Sequence, residues 1–120
     1  MYINQKGVTR IVLEFENTVV KIPNFRYCWD HFLRGILANI SEHKRWRFCK
    51  KDRHLLCPVL WCSWGGWILV MKKARVLTDR EFIEHVDIGL YSKAGLDGDD
   101  TSDNYGWLDN RCVKIDYGHL

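Results

Sequence analysis

Gly98-Asp-Asp-Thr-Ser-Asp-Asn104-Tyr-Gly-Trp-Leu-Asp-Asn110-Arg-Cys-Val-Lys-Ile-Asp116-Tyr-Gly118 is the stretch on which the reading of the fold turns. Its first part is rich in Asp, Gly and Ser and reads as loop, and within it Asp99 and Asn104 stand five residues apart. Trp107-Leu108 and Cys112 to Ile115 then flank Asp109-Asn110, a turn pair, so a hairpin is predicted. The second strand runs into Asp116-Tyr-Gly. Carboxylate and amide oxygens are hard ligands suited to magnesium. A further Asp can accept or orient the proton of a hydroxyl group, and Gly after Asp116 lets the backbone turn without steric cost. The plainer alternative is a solvated turn cluster, since the same residue types favour turns anyway. A calcium loop fits worse: Asp97-x-Asp99-x-Thr101 begins like an EF-hand, but Ser102 replaces the required Gly and Leu108 falls where Glu should be.

Upstream, 8–14 and Thr18 to Ile22 read as two strands of a hairpin, the second ended by Pro23. A helix is predicted over 25–48 with Asn24 as its N-cap. Phe25, Trp29, Phe32, Leu33, Ile36, Leu37 and Ile40 recur at spacings of three and four and predict one apolar, core-facing stripe. Leu55 to Trp61 and Trp67 to Met71 read as another hairpin around Ser63 to Gly66. Thr78 followed by Glu81 is a capping-box pattern and predicts a short helix over Asp79 to His85. Residues 89–104 read as loop. The order predicts one α+β domain over 1–120, a small antiparallel sheet with one main packed helix.

An Asp, an Asn five residues on, and a strand ending in Asp-Tyr-Gly resemble the catalytic centre of the protein kinase-like superfamily, including aminoglycoside-phosphotransferase-type enzymes. The chain is most similar to small kinase-like proteins of the bacteriophage type. Val19-Val-Lys21-Ile-Pro resembles the third strand, whose Lys grips nucleotide phosphates, and Glu42 on the following helix is then the partner of Lys21. Leu55 to Trp61 and Gly66 to Met71 resemble the fourth and fifth strands, with Met71 to Ala74 as the hinge beside adenine. The resemblance covers about residues 8–118. It implies a fold like a kinase N-terminal lobe plus this hairpin, ATP held by Lys21, Glu42, Met71 and Ala74, magnesium (Mg2+) held by Asn104 and Asp116, and Asp99 as catalytic base, with Asp97 and Asp100 as its rivals.

The departures bear on activity. No Gly-x-Gly-x-x-Gly precedes Lys21, Gly7 being the lone glycine before it, so the first hairpin is expected to be missing or shortened. Leu96-Asp97-Gly98 stands where His-Arg-Asp would. The chain stops four residues after Asp116, so on the resemblance the activation segment and acceptor-binding lobe are missing, which counts against phosphoryl transfer. The alternative expectation is a non-enzymatic, phage-type protein acting on a host enzyme or defence complex.

Composition sets the outer bounds. The 120 residues are 47% hydrophobic and 28% charged, enough apolar material for a folded domain and too short a chain for a large multidomain enzyme. No 20-residue apolar run or signal-peptide pattern is seen, so the expected location is the cytoplasm, the host's if the protein is viral. The five cysteines are odd in number, which argues against a disulfide framework. Zinc at Cys49, His54, Cys57 and Cys62 lacks the usual Cys-x-x-Cys pair. The net charge of +3 divides into +7 over residues 1–96 (16 Lys/Arg, 9 Asp/Glu) and −4 over 97–120 (2 and 6). His43 to His54 interleaves six Lys/Arg with Trp46 and Phe48. Lys44, Arg45 and Arg47 are therefore candidates for nucleic-acid contact, although cations also suit a helix C-terminus. Of the six tryptophans, Trp64 beside Gly65-Gly66 is the candidate partner-binding anchor.

Overall fold

The computed structural model describes residues 2–4, 9–26, 28–96 and 101–118. The expected N-terminal hairpin is present, its strands being β2 (Arg10–Glu14) and β3 (Thr18–Pro23). Ahead of it lies a strand the sequence reading missed, β1 (Tyr2–Asn4), antiparallel to β2. The first hairpin is therefore short rather than missing. After β3 come α1 (Trp29–Phe48), a 3-10 segment over Lys50–Leu55, β4 (Val59–Cys62) and β5 (Leu69–Lys72). These strands form one antiparallel sheet in the order β1-β2-β3-β5-β4. A second sheet joins β6 (Arg75–Val76), β7 (Tyr105–Leu108) and β8 (Arg111–Lys114), with α2 (Asp79–His85) and α3 (Ile88–Lys93) inserted between β6 and β7. The fold is α+β: antiparallel sheets with one long packed helix.

Several expected boundaries move. The helix begins at Trp29, and Asn24 is not its cap: its Oδ1 accepts from the Arg26 backbone N–H at 3.0 Å, while Cys28 is the N-cap and makes no side-chain cap bond. The run from Leu55 is strand only from Val59, because residues 50–55 take 3-10 form. Residues 89–104 are not all loop; α3 occupies their start. Its six residues hold because Tyr91 is buried edge-on against Tyr105, with ring centroids 5.0 Å apart. Local propensity gives no hint of that tertiary contact.

The two remaining turn assignments hold for the reasons stated. Asp109 and Asn110 both take positive φ (51° and 65°), the left-handed pair that a two-residue hairpin needs. Thr78 Oγ1 accepts from the Glu81 N–H, and Glu81 Oε1 accepts from the Thr78 N–H at 3.0 Å, completing the capping box. Glu81 is also a junction: Arg75 donates to both its oxygens, and Trp107 Nε1 donates to Oε2 at 2.9 Å. Those bonds hold its carboxyl well below the usual carboxylate range, the Arg75 guanidinium contributing most.

The core lies between the two sheets. Leu55, Leu56, Leu69, Met71, Leu77, Leu96, Tyr105, Val113 and Tyr117 are buried there together. The sheets are stitched by a parallel bridge between Leu56 and Lys114, by the Cys57 N–H donating to Lys114 O at 2.9 Å, and by Tyr117 Oη donating to Cys57 O at 2.8 Å.

Helix α1 overturns one expectation. Its buried residues are Gly35, Ala38, Asn39 and Glu42, at i, i+3, i+4 and i+7. The expected apolar stripe splits: Trp29, Leu33 and Leu37 are exposed, Trp29 by 77%, as is Phe25 ahead of the helix, while Phe32, Ile36 and Ile40 are half-buried. Backbone crowding explains the small residues. A Cβ on Gly35 would meet the Thr9 carbonyl oxygen and lie 2.9 Å from Pro23 Cα. On the opposite side, Gly66, at φ 74°, brings its turn onto α1; a Cβ there would lie 2.8 Å from Ile36 O.

Candidate functional site

Lys21 lies in β3 opposite Val12, and Arg10 lies opposite Pro23. Directly opposed residues share a face and alternate positions along a strand share it too, so Arg10 and Lys21 project from the same side of the sheet. Glu42 meets both there from α1. Lys21 Nζ donates to Glu42 Oε1 and Oε2, each at 3.0 Å, and to the carbonyl of Ile115 at 2.8 Å. An ammonium has three N–H donors, and these acceptors use all three. Arg10 Nη1 pairs with Glu42 Oε1 and donates to Asn39 Oδ1 at 3.1 Å, while Nη2 donates to Asp116 Oδ1 at 2.8 Å.

Asn39 completes the frame. Its Nδ2 donates to Lys21 O at 3.1 Å and to Gly66 O at 2.9 Å. One buried amide thus ties α1 to β3 and to the turn before β5. The Ile115 N–H donates to Asn104 O at 2.8 Å, which brings the 3-10 turn Ser102–Asn104 against the segment that leads to Asp116. Lys21, Glu42, Asn104 and Asp116, spread over 96 positions of sequence, are therefore linked through Ile115 and Arg10.

Glu42 is fully buried, Arg10 and Lys21 nearly so, and the Asp116 side chain is 35% exposed. Two cations face two carboxylates, and the four formal charges sum to zero. Burial alone would pull the Arg10 pKa down; the carboxylates of Glu42 and Asp116 outweigh it, and the net direction is up. Buried ion clusters contribute little net stability, because desolvation offsets the attraction. Such a cluster therefore marks a candidate site better than it explains the fold.

Other expected residues fall elsewhere. Met71 and Ala74 are buried, Met71 within the core between the sheets and Ala74 against Gly106, where an added Cβ would lie 2.9 Å from the Ala74 Cβ. Asp99, with Asp97 and Asp100, lies outside the described residues. Asn104 Nδ2 donates to Thr101 Oγ1 at 3.2 Å. Among the described residues, no group of three or more His, Cys, Asp or Glu is gathered as a metal cluster. Cys57, one of the four zinc candidates, is buried and donates its thiol to Lys72 O. The implied magnesium ion does not fit beside Arg10: Asp116 already carries a cation on Oδ1, and the guanidinium would oppose a second one nearby.

Arg53 folds back on the end of α1, its Nε donating to Trp46 O at 2.7 Å and its guanidinium lying 4.7 Å from the Trp46 ring centroid. That part of the basic run serves the helix terminus. Lys44 and Arg47 are exposed.

Sequence reasoning missed Arg10, Asn39 and Lys114. A signal existed for Asn39, which stands three residues before Glu42 on the same helix face; Arg10 is brought to Lys21's face only by the register of β2 against β3. Lys114, fully buried, donates to Leu96 O at 2.7 Å and sits over the Tyr105 ring at 5.4 Å; no local pattern points to it.

No protein-family profile matches the chain, and no curated protein matches it. Among solved structures the chain is similar to WbdD, crystallised with the kinase inhibitor LY294002, at a TM-score of 0.62 and 17% identity. The match takes in 98% of this chain and 32% of the WbdD chain, so this chain spans about a third of that protein's length. No helix among the described residues is long and apolar enough to cross a membrane. What the structural likeness shows is the fold, a distantly kinase-like α+β arrangement.

Proposed function

We propose that this protein binds a nucleoside triphosphate, ATP in the first instance, beside Lys21. The carrying observation is the convergence of three motif pieces: the β3 lysine, the α1 glutamate and the carbonyl just ahead of Asp116. Glu42 orients the ammonium. Exchanging the Ile115 carbonyl for a phosphate oxygen frees one Lys21 donor for the ligand and leaves both Glu42 bonds in place. The resemblance implies that the base lies against the strand end at 71–74, where Met71 and Ala74 are buried. The proposal is of binding; phosphoryl transfer is not part of it. Its test is the thermal shift produced by ATP in wild type and in Lys21→Met, with isothermal titration as the direct measurement. ATP is expected to raise the wild-type melting temperature and to leave that of the variant in place. Absence of a wild-type shift overturns the reading.

One observation favours a second reading, a kinase-like scaffold that docks a protein. Trp64 is 92% exposed at a turn tip, next to a row in which the Trp29 and Phe32 rings are 5.6 Å apart and Phe32 and Trp67 5.3 Å apart. Further along α1 come Lys44, Arg45 and Arg47. A protein with an apolar groove and an acidic rim matches that surface; a host enzyme or defence complex is the partner class that the resemblance implies. A partner retained by Lys21→Met and lost in Trp64→Ser and Leu33→Ser supports this reading. A partner equally retained by the surface variants counts against it.

A further inference from the structure

Arg10 has no counterpart in the motif from which Lys21, Glu42 and Asp116 were read. Its position is nonetheless the most determined in the site. The guanidinium is held at once by Glu42, by Asn39 Oδ1 and by Asp116 Oδ1, and Asn39 is itself fixed by bonds to Lys21 O and Gly66 O. A planar fork with five donors suits three acceptors at fixed angles, which a lysine cannot match.

We propose that Arg10 is the resident cation of this site: it takes the place at Asp116 that a divalent ion would occupy, so the site excludes such an ion and accepts its nucleotide without one. The last clause rests on the nucleotide reading above; the exclusion does not.

Charge and coordination both argue for it. Asp116 is the one carboxylate of the cluster with a partly open side chain, and its Oδ1 is 2.8 Å from Arg10 Nη2. A divalent ion drawn to Asp116 would lie within a few ångströms of a guanidinium that cannot lose its proton. Like charges at such distances, in a site mostly shielded from water, repel strongly. Magnesium also gives up water reluctantly and needs several oxygen ligands in near-octahedral geometry. A carboxylate already neutralised is a poor inducement. Arg10 cannot easily turn aside, because its side chain is only 5% exposed and leaving would take one of the two cations from Glu42 and the cation from Asp116.

The test uses manganese as the probe, read by the loss of the free-ion paramagnetic resonance signal, on the full chain without nucleotide. Wild type and Asp116→Asn are expected to leave millimolar manganese equally free. Arg10→Met is expected to take up about one ion per chain, and Arg10→Met combined with Asp116→Asn to take up none. Arg10→Gln, which keeps an amide donor for Asp116, replaces Arg10→Met if that variant does not fold. Manganese uptake by wild type that is lost in Asp116→Asn overturns the proposal, and so does a folded Arg10 variant that gains no site. ATP is then added to wild type with chelator or with magnesium. Equal stabilisation is expected, and stabilisation confined to magnesium overturns metal-independent binding. No stabilisation in either condition overturns the nucleotide reading and leaves the manganese result to decide the exclusion.

Discussion

Glu42 accepts from two cations at a point closed to water, and its charge is what allows both to be buried. Glu42→Gln leaves Lys21 and Arg10 facing one another with Asp116 as the remaining carboxylate. Breaking a buried pair in this way costs about 3–5 kcal/mol, because the orphaned charges stay desolvated. Urea unfolding should show a fall of that size in the unfolding free energy extrapolated to water; a loss under about 1 kcal/mol would mean the cluster behaves like a surface pair. A second residue-scale prediction concerns pH. Burial pushes the Cys57 thiol from 9.0 up to about 11. Between those values the unfolded chain releases a proton that the folded chain keeps, so stability must fall as pH rises through that window, by about 1.4 kcal/mol per pH unit for this group. Comparing urea unfolding of wild type and Cys57→Ala at neutral and alkaline pH isolates the effect: the variant should show the shallower loss, and parallel losses would refute it. At this scale the sequence was partly legible. Lys21 and Glu42 could be paired because each sits in a recognisable motif. Arg10 could not, since a charged residue opening a strand is usually solvated, and only the register of β2 against β3 turns it inward.

Helix α1 shows why an element can be legible while its orientation is not. Its existence follows from twenty residues free of proline and rich in helix formers. Its inward face does not, because periodicity methods weigh large apolar residues, and here those at 29, 33 and 37 face outward. The buried face is small and polar, at 35, 38, 39 and 42, and its partners come from β2, β3 and the 64–66 turn. No window of local sequence contains them. Gly35→Ala tests this placement. On an open helix the change would stabilise by about 1 kcal/mol. Here the new methyl meets the Thr9 carbonyl oxygen, held by the Asn24 N–H at 2.8 Å, and Pro23, held by strand pairing. Overpacking costs about 1–3 kcal/mol, so the net effect should be destabilising, and it should disturb the adjacent Arg10. A gain in melting temperature would show that this face of α1 is open. The β7–β8 hairpin is the contrasting case, read correctly from Asp109-Asn110 because its determinant is local.

Across the whole molecule, the interior is held by two unlike devices. An apolar and aromatic core seals the two sheets against each other, and a charged cluster fixes α1 to the first sheet. That division leaves Trp29, Leu33 and Leu37 of α1 unused by the core, which takes only Trp46 near the helix's end. Phe25, Trp29, Leu33, Leu37, Trp64 and Trp67 are all exposed, and the ring contacts of Phe32 join the helix to the turn. Such a surface exceeds the scattered apolar residues expected of an isolated domain and is characteristic of a face meant to be covered. Its exposure makes a prediction that does not depend on the identity of whatever covers it. The native protein should bind a hydrophobic fluorescent dye such as anilinonaphthalene sulfonate, and a triple variant Trp64→Ser, Leu33→Ser, Leu37→Ser should lose most of that fluorescence. Because these side chains contribute little to the core, the variant's unfolding free energy should stay within about 0.5 kcal/mol of wild type per substitution. Unchanged dye binding would mean that the exposed residues do not form one apolar surface. A stability loss comparable to that of Gly35→Ala would mean that the outer face of α1 is packed after all, and that the polar stripe at 35, 38, 39 and 42 is not its sole inward side.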